Sequence, residues 1–270
     1  EANEAKETAQ ILMDLKKSLL AEFLGTFVLV FAGTGAMVVD SMTDGTITHL
    51  GIALIFGLVV MVMVYTLGHI SGAHINPAVT VGFAVAGEFP AKRIAPYIAV
   101  QCLGAIAASF VLLSLLGNHG NMGATLPLEL KEGQRLTLAC LVLEGFLTFI
   151  LMFVILNVAV NAPDKKGFVG IIIGGIIAVE SGFAGPISGA SMNPARSLGP
   201  ALASGNFTDF WIYLVGPVTG AIATVPVWRF IRLAKRKPER PRRNPRERSQ
   251  QRTQSTKKQQ WKKKPAKPQS

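Results

Sequence analysis

Residues 71–82 read SGAHINPAVTVG, and residues 188–199 read SGASMNPARSLG. Seven of the twelve positions coincide: Ser71/Ser188, Gly72/Gly189, Ala73/Ala190, Asn76/Asn193, Pro77/Pro194, Ala78/Ala195 and Gly82/Gly199. Both copies carry Asn-Pro-Ala inside strongly apolar sequence. Polar residues at membrane depth are costly and point to polarity aimed at something inside the protein rather than at lipid.

Six apolar runs surround these segments, at about 19–39, 48–67, 94–116, 136–160, 168–184 and 210–231. Each approaches or exceeds the roughly 17–25 residues that cross a bilayer as a helix. The fifth is the shortest and is rich in glycine. No cleavable signal peptide is expected, because the first sixteen residues are charged and no h-region with a small-residue cleavage site follows.

A second repeat extends the first. Glu22-Phe23-Leu24-Gly25-Thr26-Phe27 matches Glu144-Gly145-Phe146-Leu147-Thr148-Phe149 in the spacing of Glu, Thr and Phe. Each Glu precedes its Asn by a similar distance, 54 and 49 residues. The chain thus divides into an N-terminal segment (1–16), two halves (about 17–117 and 135–232, joined by a loop) and a tail (233–270). Three spans per half put the second half into the membrane inverted. That arrangement commonly places a binding or conduction site at the midplane. The first Asn-Pro-Ala segment follows span two and the second follows span five, so they start from opposite faces and meet only if both fold back in.

The local chemistry favours that. Pro77 and Pro194 suit the first position of a helix, where no N–H is needed. Asn76 and Asn193 then stand at N-cap positions, which favour Asn. Two short helices would aim their positive N-terminal ends at the centre. The preceding Ser-Gly-Ala stretches are expected to be extended, with carbonyls along a cavity. Irregular backbone at this depth is tolerated only where it is buried in protein or faces water. Arg196, Glu22 and Glu144 are intramembrane charges that need partners or a function.

The net charge of +11 is a property of the tail. Residues 229–270 hold seventeen Lys/Arg and two acids, while the rest holds ten Lys/Arg and fourteen acids. The Pro/Lys/Arg/Gln composition of the tail predicts disorder. The positive-inside rule assigns it, with Lys92-Arg93 and Lys165-Lys166, to the cytoplasm, so both termini are expected there. The tail is suited to anionic headgroups, with Trp261 as an interfacial anchor; nucleic acid is not an expected partner. Cys102 and Cys140 lie inside spans and form no disulfide framework. There is no nucleophile–base set, metal-spaced His/Cys group or nucleotide loop, so neither an enzyme, a metal site nor a cofactor is expected.

The paired Asn-Pro-Ala motifs, the paired Glu residues, Gly68-His69-Ile70-Ser71-Gly72-Ala73-His74 and the Arg after the second motif resemble the aquaporin, or major intrinsic protein, family. The resemblance covers about residues 15–232. It implies an all-α membrane protein of six transmembrane helices and two re-entrant half-helices in two inverted repeats, assembled as a homotetramer in the cell membrane. It further implies that Asn76 and Asn193 donate to permeating molecules and that Arg196 lines an outer constriction. By position relative to the motifs, Phe56, Ser181 and Ala190 complete that constriction. Glu22, Glu144 and His74 become supports for the re-entrant loops.

Residues 185–200 resemble the plant nodulin-like branch, whose members often pass small neutral solutes as well as water. Ser181 replaces the His of water-selective members, which implies a wider opening. Ser197, where glycerol-conducting members carry Asp, and Phe210-Trp211 resemble water channels instead. The expectation is a water channel of relaxed selectivity. A glycerol or small-solute facilitator, an ion-coupled transporter and a non-conducting structural tetramer remain the competing readings. Glu180, beside Ser181, is expected to face a neighbouring subunit or a hydrated interface.

Overall fold

The chain folds, in a computed structural model that describes residues 2–131, 133–161 and 167–232 (side chains from residue 11), as an assembly of helices. Six are long and apolar enough to cross a membrane. They are α1 (Ala2–Met42), α2 (Thr48–Ser71), α4 (Ile94–Leu116), α5 (Thr137–Ile155), α6 (Val169–Ser188) and α8 (Ile212–Ile231). Two short helices, α3 (Pro77–Ala86) and α7 (Pro194–Ser204), begin at the prolines of the repeated motif. α2 and α6 run about one turn past their apolar runs to the glycines that end them, α1 continues back through the charged N-terminal segment, and α5 passes into a π-helical turn over Leu156–Asn161. The basic tail, Trp261 and Lys165-Lys166 lie outside the described residues.

Sequence explains the interruptions. Gly72 and Gly189 take left-handed φ values of 92° and 82° and end α2 and α6, each returning its N–H to the carbonyl four residues back. Asn76 and Asn193 start α3 and α7, their Oδ1 atoms accepting from the second and third N–H groups after the cap.

The halves interlock. α1 packs on α2 and α4, and α5 on α6 and α8. Each half-helix crosses into the other half, α3 against α8 and α7 against α4, while α2 packs on α6 along the pseudo-twofold axis. Close crossings depend on missing side chains. A Cβ at Gly57 would lie 2.5 Å from the Gly174 carbonyl, and one at Gly174 would strike the Gly57 carbonyl. Gly104 sits against the Phe23 carbonyl in α1, and Gly220 against the Gly145 carbonyl in α5. These are the small-residue contacts that let membrane helices approach.

The surface is inverted relative to a water-soluble protein. Leu58, Leu103, Leu115, Leu138 and Phe146 are all more than half exposed. Glu22, Glu144, Gln101 and Arg196 are almost fully buried. Along the chain, residues 43–47, 117–131 and 205–211 lie at one end of the bundle and 87–93 at the other.

Candidate functional site

An elongated cavity runs from Gly72, Ala73 and His74, past Asn76 and Asn193, to Phe56, Ser181, Ala190 and Arg196. Two kinds of surface line it. One side is aliphatic, with Val60, Val64, Ile173 and Ile177 among its residues; the other is backbone and polar side chains of the two motif loops.

At the middle, the two Asn side chains form a reciprocal pair. Asn76 Nδ2 donates to the Met192 carbonyl at 2.8 Å, and Asn193 Nδ2 donates to the Ile75 carbonyl at 2.9 Å. Their Oδ1 atoms are occupied capping α3 and α7. A carboxamide NH2 has two hydrogens. One is used to tie each loop to the other half, which leaves one per Asn for a molecule in the cavity. Both N-termini bring their partial positive charge to the same region.

The loops before the motifs are not extended as the Ser-Gly-Ala sequence suggests. They alternate through left-handed conformations at equivalent positions: Ala73 and Ala190 at φ 46° and 42°, Ile75 and Met192 at 42° and 54°. Non-glycine residues rarely adopt such values, and surrounding structure must enforce them. The buried carboxylates do so here. Glu22 Oε1 accepts from Ser71 Oγ (2.7 Å) and His74 N (2.9 Å), and Oε2 from Ile75 N (2.6 Å) and Gln101 Nε2 (2.8 Å). Glu144 Oε1 accepts from Ser188 Oγ (2.7 Å) and Ser191 N (2.9 Å), and Oε2 from Met192 N (2.8 Å). The donors of each loop are thus gathered behind it, and the Ile75 and Met192 carbonyls are turned to the centre.

Tyr97 and Tyr213 complete the pattern, each donating its hydroxyl to the carbonyl of Ser71 or Ser188. Sequence reasoning missed this pair and Gln101. The tyrosines lie 26 and 25 residues after those serines, so the repeat itself was a usable signal. His74 sits in the first loop, stacked at 4.7 Å on Phe83, near Phe89 and Tyr97, with Nδ1 3.2 Å from Thr80 Oγ1. In the second loop, Ser191 and Ser197 occupy the corresponding places, their hydroxyls 2.6 Å apart, with Thr125 donating to Ser197.

The four residues expected at the constriction line the cavity together near one mouth. Arg196 is 2 % exposed, with its guanidinium carbon 4.9 Å from the Phe56 ring centroid. Nη1 donates to the Gly123 carbonyl at 2.8 Å and Nη2 to Met37 Sδ at 3.2 Å. Among the described residues no carboxylate forms a salt bridge with it. Gly123 and Met37 were not anticipated: one lies in the long interhalf loop and the other near the end of α1, and neither carries a motif.

Glu180 contradicts its expectation. It is 1 % exposed, so it faces neither a neighbour nor solvent, and neither oxygen has a hydrogen-bond partner among the described residues. One helical residue is a rotation of roughly 100°, so with Ser181 turned to the cavity Glu180 is carried into the packed interior.

Comparison with known proteins agrees with this architecture. The family model for "Major intrinsic protein" matches residues 10–228. Aquaporin NIP1-1 of Zea mays is 47% identical over 217 residues, covering 80% of this chain and 75% of that protein. Nodulin-26 of Glycine max is 45% identical over 217 residues, covering 80% and 78%. The X-ray structure of the aquaglyceroporin from Plasmodium falciparum superposes with a TM-score of 0.71 at 27% identity, covering 80% of this chain and 96% of that one. With six spanning helices, two motif-bearing half-helices and these relatives, the chain is an integral membrane protein with the aquaporin fold and belongs to the major intrinsic protein family of channels, not to an enzyme family.

Proposed function

We propose that the protein is a passive channel conducting water down osmotic gradients, with relaxed selectivity for small neutral solutes, and that it excludes protons and ions. The observation that carries this reading is the continuous cavity passing both Asn residues, each with one amide hydrogen left over. A water accepting from both Asn76 and Asn193 is oriented so that it cannot also accept along the file, and the positive helix ends repel cations. This is the known selectivity logic of aquaporin-type pores, applied to these residues.

Phe56, Ser181, Ala190 and Arg196 form the selectivity constriction in this proposal. Arg196 supplies a buried positive charge that forms no salt bridge with a carboxylate among the described residues, which deters cations and offers donors to neutral oxygens. Ser181 and Ala190 are small, which leaves room for a solute larger than water. Pro77, Ala78, Pro194 and Ala195 set the half-helix starts, and Glu22, Glu144 and His74 hold the loops.

The aliphatic wall favours a second reading, a glycerol or small-solute facilitator with minor water flux, because carbon-bound hydrogens of a polyol pack on Val60, Val64, Ile173 and Ile177 while its hydroxyls meet the loop carbonyls. Exposed Leu and Phe around the bundle are compatible with lipid and with three further copies of the chain in a homotetramer. The charge pattern supports a cell-membrane protein with both termini cytoplasmic and the tail on anionic lipid. Stopped-flow light scattering of proteoliposomes under sucrose, glycerol and urea gradients separates the two readings. Water flux with solute flux supports the first, solute flux with little water flux supports the second, and neither above empty vesicles removes both.

A further inference from the structure

Among the described residues, the Arg196 guanidinium donates to two neutral groups, and one of them is chemically changeable. Met37 Sδ accepts from Arg196 Nη2 at 3.2 Å, the Gly123 carbonyl accepts from Nη1 at 2.8 Å, and the Phe56 ring lies against the guanidinium. Met37 also lines a second cavity, with His49, Phe56, Ser181 and Arg196, the last three of which line the main cavity as well. It is partly exposed there, whereas Met122, Met152 and Met192 are 0–3 % exposed.

Its sulfur is wedged under a rigid feature. Gly120, Asn121, Met122 and Gly123 all take positive φ (53°, 50°, 56° and 72°), a tight run that presents the Gly123 carbonyl to Arg196. A Cβ on Gly123 would stand 3.1 Å from Met37 Sδ. The sulfur therefore has Gly123 on one side and the Arg196 guanidinium on another, and the residue borders the second cavity. A thioether is a weak acceptor. A sulfoxide is a polar, chiral group with a strong acceptor oxygen.

We propose that Met37 is an oxidation site, and that its sulfoxide throttles the channel by capturing Arg196 and filling the mouth. The reaction is closed in atoms and electrons. The sulfur lone pair attacks one oxygen of hydrogen peroxide and the O–O bond breaks; that oxygen bonds to sulfur and passes its proton to the departing oxygen, which leaves as water. Sulfur loses two electrons and the peroxide gains them. The new oxygen lies either against Nη2, where a strong acceptor holds Arg196 more tightly than the thioether does, or in the opening beside Phe56. Both reduce flux. The inference rests on the channel reading.

The test uses the full chain in vesicles treated with hydrogen peroxide. Peptide mass spectrometry follows oxygen addition at Met37, and stopped-flow scattering follows water and glycerol flux. Met37 should gain one oxygen while flux falls about twofold or more, and methionine sulfoxide reductase should restore both. Met37→Leu, or Met37→Ile if the first variant fails to fold, should keep its flux through the same treatment. Reductase reversal in the unmutated chain needs neither variant.

Three results overturn the proposal: complete Met37 oxidation with unchanged flux, Met37 left unoxidised while exposed Met13 and Met42 react, or equal loss of flux in the variants. Untreated protein with no flux above empty vesicles would instead defeat the channel reading, and this inference with it.

Discussion

Replacing Glu144 by Gln keeps the shape of the side chain and removes one accepting face. The carboxylate takes three hydrogen bonds, from Ser188 Oγ, Ser191 N and Met192 N. If the Gln oxygen stays on Ser188 and Ser191, its NH2 faces the Met192 N–H. If it turns round, its NH2 faces the Ser191 N–H, and only the Ser188 hydroxyl can rotate to adapt. One buried backbone N–H is stranded either way. A lost bond to a charged acceptor with a stranded donor costs about 2–4 kcal/mol. For a chain of this size, each kcal/mol moves Tm by about 2–4 °C, so a drop of about 5–15 °C is expected. The effect extends across the pseudo-twofold axis, because the Met192 carbonyl receives Asn76 Nδ2. Water flux should fall with stability. Size-exclusion chromatography of detergent-purified protein after graded heating reads the shift. A Tm within about 1 °C of the parent would refute the claim that Glu144 is the charged acceptor fixing the second loop.

Further predictions concern the pore and the helix crossings. Arg196→Val removes the buried charge and its donors, so glycerol and urea flux should rise severalfold in vesicle swelling assays, and a fluorescent ion indicator should report new cation leakage. Ser181→His restores bulk at the constriction and should cut glycerol flux while leaving most water flux; equal losses of both would contradict the assigned position. Gly57→Ala sets a methyl 2.5 Å from the Gly174 carbonyl and should destabilise the α2–α6 crossing by about 1–3 kcal/mol, read by the same heating assay.

Much of this architecture is legible in the sequence because the constraints repeat. A polar motif within apolar runs marks membrane irregularity, and Asn-Pro marks a helix start. Two copies separated by three spans require opposite entry. An intramembrane carboxylate needs donors, and the family resemblance implies that those of Glu22 and Glu144 come from the loop backbones, from which both carboxylates accept. What repeats less visibly was lost. Left-handed Ala73, Ile75, Ala190 and Met192 carry no glycine to signal them, because tertiary hydrogen bonds rather than local preference hold them there.

Arg196 shows the same limit. Its immediate supports, Met37 in α1 and Gly123 in the loop that joins the halves, are distant in sequence and outside the repeated motifs, and only folding brings them to the guanidinium. Glu180 was misplaced because the direction of an α6 side chain turns with each residue, and assigning Ser181 to the cavity already decides where its neighbour points. Tyr97, Tyr213 and Gln101 were within reach of a longer repeat alignment.

The central claim is that the paired Asn76 and Asn193 make one pore that passes water and stops protons. Osmotic shrinkage of vesicles carrying an internal pH dye measures both fluxes in one experiment, with the parent beside an Asn76→Asp, Asn193→Asp double variant. The account predicts rapid water flux in the parent with no proton entry above empty vesicles, and severe loss of water flux in the variant. Parent vesicles no faster than empty ones, or water flux unchanged in the variant, would contradict it.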